Sequence, residues 1–509
     1  MPYILHRNGL ATEHFPMERR TSPLESLPDE TLTQVLVYLE WHEILQVRQC
    51  CRRLNRLSKD RSVCLAVLLH YYDTVLPRPF LLPKPLRYCD SSNLERVVCN
   101  WFSARGLVDP HRARKQEFKP PDTWSKGFKL GPLPGGRFFM HASPNGNIHY
   151  HDIENPCDPP SLFIPTPFPW CKPGVAVMPI QTLLSLDILA TQADEIPIED
   201  RLFPITFNLA AIWQATDPAN DETLHNFGVY QVEVQLGDDG SVKGYAAKQL
   251  ILFREKPYRY AILNRCSLYG NHLAYHCSAH QSRFIAIIDW GSIPHSNVTN
   301  FPRVYLPDLY RSQFSLLPGR HLAVFQDDDI VIYNWGDVPS KTRAPDLDLL
   351  YWLQPASPKW KVALSSFGGS FPPLRPYLFK DSIRIVVPTS VGLKGINIPL
   401  RFLNQWSDSE AIASATESQL PTVVPLLDGH FGSAPCELSL GYRKGISVTS
   451  QGTTVWQCSW PEESRMEPPK VFSLPSHPYD SRISAIYFIE HSNRLVSLQR
   501  QYRYQIIDF

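Results

Sequence analysis

The chain has 509 residues, 43% hydrophobic and 12% aromatic, a length and composition that can bury two or three cores. Fifty Lys+Arg against 49 Asp+Glu leave a formal charge of +1, which supplies neither the basic footprint of a dedicated nucleic-acid binder nor an acidic tail. Forty-seven prolines and only 5 methionines favour extended segments and turns over a helical bundle, because proline removes a backbone donor and breaks helix interiors.

The first 20 residues interrupt their few apolar positions with His6, Arg7, His14 and further charges, so they lack the apolar core of a signal peptide. Eleven cysteines are scattered, with one vicinal pair at Cys50 and Cys51 and no C-x-x-C, which suggests neither a zinc framework nor a disulfide scaffold. No stretch approaches the roughly 18 uninterrupted apolar residues of a membrane span. A cytoplasmic or nuclear protein without a cofactor is expected, with no membrane and no nucleic acid among its partners.

The sharpest local signal begins at Ser26. Ser26-Leu27-Pro28-Asp29 sets a hydroxyl three residues before an acid, with Pro28 in the first turn where its missing N–H costs nothing, and predicts a helix N-terminus. Leu32, Val35, Leu36 and Leu39 follow at i, i+3, i+4 and i+7, one apolar stripe over two turns. After Glu40-Trp41-His42 a second stripe, Ile44, Val47, Cys51 and Leu54, is backed by Arg48, Arg52, Arg53 and Arg56. Two short helices with a tight connection and a basic outer face are predicted. A unit of about 40 residues cannot bury both apolar faces alone and tends to need a partner.

The run Leu27-Pro28-Asp29-Glu30, Leu32, Val35-Leu36, Tyr38-Leu39, Leu45, Cys51-Arg52 and Leu57 resembles the F-box motif. It departs from the usual pattern at Glu40, where proline is common, at Cys50 for valine and at Leu54 for tryptophan. The resemblance implies docking onto the Skp subunit of a cullin-type (SCF) ubiquitin ligase, with Leu27, Pro28, Leu32, Leu36, Leu39, Leu45, Cys51 and Leu54 burying against that adaptor or packing the motif itself. Arg48, Arg52, Arg53, Arg56, Lys59 and Arg61 then either face adaptor acids or form a solvated basic face.

Residues 63–125 read as a helical linker: Val63 to Leu69 and Asn93 to Trp101 keep a helical pattern, and four prolines from Pro77 to Pro85 break the chain. The basic run His111 to Lys119 reads as a solvated linker in preference to a nuclear-localisation patch.

Beyond about 130 the chain turns to short β-rich runs punctuated by Gly, Pro, Asn and Asp. Phe284 to Trp290, Asp329 to Trp335, Thr454 to Trp460 and Arg503 to Phe509 are each an apolar strand closing on an aromatic after a polar residue. Weaker endings fall near Ile153, Val234 and Ile398, which gives seven endings 45 to 81 residues apart. Periods of that size with about four strands each match a β-propeller whose unequal spacing comes from inserted loops. Seven blades are expected, and a pair of large β-sandwiches is the alternative. The region resembles the divergent propeller-like part of fungal F-box proteins. The acid precedes the aromatic as Asp-Trp, so this is no plain WD repeat. The architecture expected is thus α+β multidomain: a flexible 1–21, an F-box over 22–62, a helical linker over 63–125 and an all-β, partner-binding domain over 126–509.

Catalytic markers are missing. Gly368-Gly369-Ser370 runs into Phe371-Pro372 and makes no G-x-S-x-G, and there is no phosphate-binding glycine loop. His149-Tyr150-His151 could aim two imidazoles from one strand face at a metal, but a plain strand is the preferred reading. Asp238-Asp239-Gly240 and Asp327-Asp328-Asp329 sit where hairpin turns are wanted. The function expected is an adaptor without chemistry of its own that recruits a protein partner through the β domain. The alternatives are a non-degradative scaffold and a propeller hydrolase with paired carboxylates in the central channel.

Overall fold

The computed structural model describes residues 26–102, 114–118, 131–168, 180–216, 223–255, 261–279, 282–294, 301–307, 313–326, 329–341, 357–364, 375–404, 420–428, 437–449, 452–461, 470–474, 483–490, 493–499 and 504–508. The N-terminal stretch 1–25, the basic residues 111–113, Asp327–Asp328 and the Gly368–Ser370 segment lie outside them. The chain divides into two compact units, Met1–Leu69 and His70–Phe509.

The first unit is built from α1 (Asp29–Leu36), α2 (Trp41–Cys50), α3 (Arg52–Leu57) and the start of α4 (Arg61–Thr74). The sequence placed the first cap at Ser26; the structure places it at Pro28, which has no N–H to satisfy, and makes Asp29 the first helical residue. Asp29 then serves α3, because Arg53 Nε and Arg56 Nη2 donate to its carboxylate at 2.7 and 2.6 Å. Arg53 also donates to the Leu27 carbonyl, so the turn before α1, α1 and α3 share one clamp. Glu40, an exception in the motif, caps α2. Its carboxylate accepts from the Glu43 N–H while its own N–H donates to Glu43 Oε2 at 2.9 Å, a reciprocal capping box. Cys51 Sγ accepts from the Leu54 N–H at 3.5 Å and caps α3.

The second unit holds α5 (Ser91–Phe102), the short α6 (Ile198–Leu202) and α7 (Leu400–Asn404), and seven four-stranded antiparallel sheets. Strand β1 (Arg114–Phe118) precedes blade 1, which is β2 (Gly131–Pro132), β3 (Phe138–Ala142), β4 (Ile148–Asp152) and β5 (Ser161–Ile164). Blade 2 is β6 (Gln181–Asp187), β7 (Thr206–Thr216), β8 (Thr223–Leu236) and β9 (Val242–Glu255). Blade 3 is β10 (Ala261–Tyr269), β11 (His272–Ala279), β12 (Ser282–Asp289) and β13 (Arg303–Pro307), and blade 4 is β14 (Gln313–Leu317), β15 (His321–Gln326), β16 (Asp329–Asn334) and β17 (Trp360–Ala363). Blade 5 is β18 (Pro376–Leu378), β19 (Ser382–Thr389), β20 (Gly392–Pro399) and β21 (Thr422–Asp428), and blade 6 is β22 (Glu437–Leu440), β23 (Lys444–Thr449), β24 (Gly452–Gln457) and β25 (Lys470–Leu474). Blade 7 takes β26 (Ile483–Ile489), β27 (Arg494–Gln499) and β28 (Tyr504–Asp508) from the end of the chain and β1 from before blade 1. This is a seven-bladed β-propeller, and each of the seven endings read in the sequence falls within three residues of the end of a third strand.

Within blade 7, Leu495 lies opposite Ile507 and Leu498 opposite Tyr504. Blade 7 also lies beside blade 1, where the Phe139 and Tyr487 rings meet at 6.2 Å. The linker expected to be helical to 125 is corrected at Arg114–Phe118. These residues form the outermost strand of blade 7 and pair in register from Arg114 with Asp508 to Phe118 with Tyr504. Their sequence has no apolar alternation, so a partner strand decides their conformation.

Alternating strand residues bury both faces of the blades. Phe138, Met140 and Ile148 of blade 1 share a core with Phe207, Leu209 and Tyr245 of blade 2, and comparable clusters join blades 2 and 3, 3 and 4, 4 and 5, and 6 and 7. Polar rungs cross the same seams. The hydroxyls of Ser185, Ser267 and Ser439, on first strands, accept the N–H of Leu268, Leu316 and Phe488 on the next first strand at 3.0, 3.0 and 2.9 Å.

Candidate docking surface

In the first unit the eight sequence-named positions split by exposure. Leu32 and Leu36 are buried, Leu27, Leu39 and Leu54 are half-buried, and Pro28, Leu45 and Cys51 are exposed. The α1 stripe therefore serves mainly to pack the unit. Two residues of the motif that were not among those eight are also exposed apolar surface: Val35 is 52% exposed and Tyr38 is 88% exposed, against 40% for Leu45. Helical period put Val35 on the apolar stripe without telling that it stays exposed, and Tyr38 stands past the end of α1, in a turn that periodicity does not reach.

The basic residues are also divided. Arg53 and Arg56 bind Asp29 and hold its carboxyl below the ordinary 3.8, chiefly through the Arg53 hydrogen bond. Arg48 donates to the Ser58 hydroxyl and carbonyl at 2.9 and 3.0 Å and lies over the Trp41 ring. These cations brace the unit, and Arg48 and Arg56 with Arg52 and Lys59 line a cleft of about 600 Å³.

In the second unit, residues 70–102 cross one face of the ring. The Tyr72 hydroxyl donates to Gln192 Oε1 at 3.2 Å and the Arg78 guanidinium binds Asp194, both on the connection between β6 and β7 of blade 2. The Arg78 backbone exchanges hydrogen bonds of 2.9 and 2.7 Å with Leu378 of blade 5. Blades 2 and 5 stand on opposite sides of a seven-membered ring, so this segment spans its mouth. Farther along, the Trp101 ring stacks on Tyr442 at 6.2 Å, and Lys444 Nζ donates to the Asn100 carbonyl at 2.6 Å. These contacts fall at the first-to-second strand connections, which share one face.

A hydrolase would need paired carboxylates reachable through the channel. The buried acids described are instead each matched with donors. Asp187 accepts from the Ala190 and Gly270 N–H groups at 3.0 and 2.6 Å, and burial pushes its carboxyl up to about 7. Glu490 accepts three backbone N–H groups, from Tyr442, Arg443 and Lys444, at 2.7, 2.7 and 2.8 Å, and burial also raises its carboxyl. Glu255 binds Arg303 through two 2.8 Å hydrogen bonds, with both side chains 1% exposed. His149 and His151 do share a strand face, together with His141 opposite, yet among the described residues no cluster of His, Cys, Asp or Glu has metal-binding geometry. The turn reading holds at Asp238-Asp239-Gly240, where Ser241 donates to Asp239 and Gly240 has φ +73°.

Residues 24–65 match a family model described as F-box-like. The chain thus carries an F-box-like domain followed by a seven-bladed propeller. No curated protein matches it in sequence. Among solved structures, similarity extends to a chain of the "Crystal Structure of Mitotic Checkpoint Complex", at 10% identity and TM-score 0.37, covering 77% of this chain and 91% of that one. It also extends to the Cps50 (Swd1) β-propeller domain of Myceliophteria thermophila, at 10% identity and TM-score 0.39, covering 78% of this chain and 100% of that one.

Proposed function

We propose that this chain is an adaptor of a cullin-type ubiquitin ligase, in which residues 22–62 dock onto the Skp subunit and the propeller presents a protein partner for ubiquitin transfer by other subunits. The observation that carries this reading is an F-box-like segment that leaves Pro28, Val35, Tyr38 and Leu45 exposed. Apolar side chains of this kind, presented from short helices, are what a helix-in-groove partner buries. The mouth spanned by residues 70–102 leaves the opposite loops and the outer strands as the surface for the recruited protein. Adaptor function of this type belongs to the cytoplasm or nucleus. Among the described residues no helix is long and apolar enough to cross a membrane.

The test is co-purification of the Skp subunit with the intact chain, with residues 22–62 deleted, and with two paired variants, Leu27→Ala/Pro28→Ala and Tyr38→Ala/Leu45→Ala. A truncated interface anchor is worth about 2 kcal/mol or more, so each pair should lose at least roughly tenfold in affinity. Tyr38 and Leu45 stand out from the unit, so their loss should leave the fold intact. Undiminished capture by both pairs would overturn the proposal.

A further inference from the structure

His141, His149 and His151 form a cluster that the docking function does not use. His141 on β3 stands directly opposite His149 on β4, and the two rings stack at 5.4 Å. His151 meets the His141 ring at 5.8 Å. His141 and His151 are buried and His149 is half-buried. All three occupy the blade 1 face that carries Phe139, the ring that touches Tyr487 of blade 7. On blade 7, strand pairing sets Val496 and Ile506 beside Tyr487, an apolar row. The opposite face of blade 1 meets blade 2 through an apolar core. Imidazoles are therefore concentrated at the seam where the last blade meets the first, which is the seam that closes the ring.

We propose that this seam is a proton-sensitive latch: it stays shut while the three imidazoles are neutral and opens, ahead of the rest of the ring, when they take up protons. A charged imidazole here would sit on the blade 1 face that Phe139 turns to Tyr487, with a further imidazole ring within 6 Å of it. The carboxylate whose charge acts on His151 is Asp152. It is already bound by both arms of Arg137 and by the Glu154 N–H and Asn155 side chain. Glu154 at the same edge lies 3.5 Å from Arg137 and 3.7 Å from Arg494. Burial lowers all three imidazoles from 6.5; His141 is lowered further by its two neighbours, and His151 falls to about 4 despite Asp152. The sign follows from proton binding. The open seam accepts protons below about pH 6.5 and the closed one does not, so closure is complete above that value and weakens as pH falls toward 4. His151 alone favours opening by about tenfold per pH unit across that window, and His141 and His149 act in the same direction.

Hydrogen exchange of the full chain at pH 7.5 and 5.0, corrected for intrinsic rates, tests this. Amides in residues 138–152 and 494–508 should gain at least tenfold in exchange at pH 5.0, while those in 322–325 and 383–387 of blades 4 and 5 stay protected. The triple variant His141→Gln/His149→Gln/His151→Gln should lose the step. If that variant does not fold, His149→Gln alone, at the half-buried position, should show a smaller step than the wild type. A gain spread evenly over all blades, or a step that persists undiminished in the variant that folds, would overturn the latch.

Discussion

Removing the β1 strand by substitution tests ring closure in the intact chain. Lys115→Pro with Gln116→Pro is suited to this, because neighbouring strand residues point their N–H groups to opposite sides. One of the two prolines must therefore delete a donor to β28, and the fixed φ of both opposes an extended strand. Five register pairs join β1 to β28, from Arg114 with Asp508 to Phe118 with Tyr504. An antiparallel ladder of that length carries about five hydrogen bonds. At roughly 0.5–1.5 kcal/mol each, full detachment costs about 3–7 kcal/mol. That is a large share of a typical stability of about 5–15 kcal/mol. With a urea slope near 3 kcal/mol per molar, the unfolding midpoint should fall by roughly 1–2 M. A peptide of residues 110–122 added in excess should recover part of the loss by pairing with the vacated edge. Removing residues 500–509 takes β28 itself, an interior strand, and should cost more. A double-proline variant that unfolds at the wild-type midpoint would show that β1 is not what closes the ring.

Other substitutions probe single contacts. Glu255→Gln leaves the Arg303 charge buried beside a neutral partner and should destabilise the ring by roughly 3–5 kcal/mol in urea unfolding, whereas Glu255→Leu with Arg303→Met should cost much less. Ser267→Ala removes the acceptor of the Leu316 N–H across the seam between blades 3 and 4 and should cost about 1–3 kcal/mol by the same assay. Asp29→Ala releases both Arg53 and Arg56 and should lower the melting temperature by several degrees. Asp29→Asn, which keeps one acceptor, should recover part of that loss.

The blade count was legible because third strands lie inside their sheets and carry continuous apolar runs, and because the aromatic that follows has a structural task. Trp290, just past β12, donates its backbone N–H to the Asn271 carbonyl and its indole N–H to the Gly270 carbonyl. It thus locks the third strand onto the turn between the first two. Trp335 repeats the backbone part of this with Arg320 in blade 4. The unequal spacing has equally local causes: a connection from 188 to 205 and strands of 11 to 14 residues in blade 2, and long third-to-fourth connections in blades 4 and 5. A second signal went unread. The pair Ser-Leu recurs at 185, 267, 315 and 439 on first strands, and three of those serines bridge to the next blade. Strand β1 left no signal, since Arg-Lys-Gln-Glu-Phe becomes a strand only through the edge offered by β28, some 390 residues away. In the first unit the motif located the helices, but Tyr38 could not be ranked above Leu36 as a contact. Periodicity reports which face is apolar and not whether that face is covered.

The arrangement of buried acids bears on the choice between adaptor and hydrolase. Catalysis by a carboxylate pair requires two acids held apart by donors that leave a lone pair facing substrate, with a path for that substrate to enter. Among the described residues two buried acids instead close strand connections. Asp187 ties the end of β6 to the start of the turn after β10, and Glu490 gathers three successive N–H groups between β22 and β23. Both stand at the face that residues 70–102 cover, where Lys444 reaches the Asn100 carbonyl and Arg78 joins blades 2 and 5. Their carboxyls are raised by burial, against which the backbone donors act, and need no substrate to account for them. A mouth built this way holds a segment of its own chain in place across the ring.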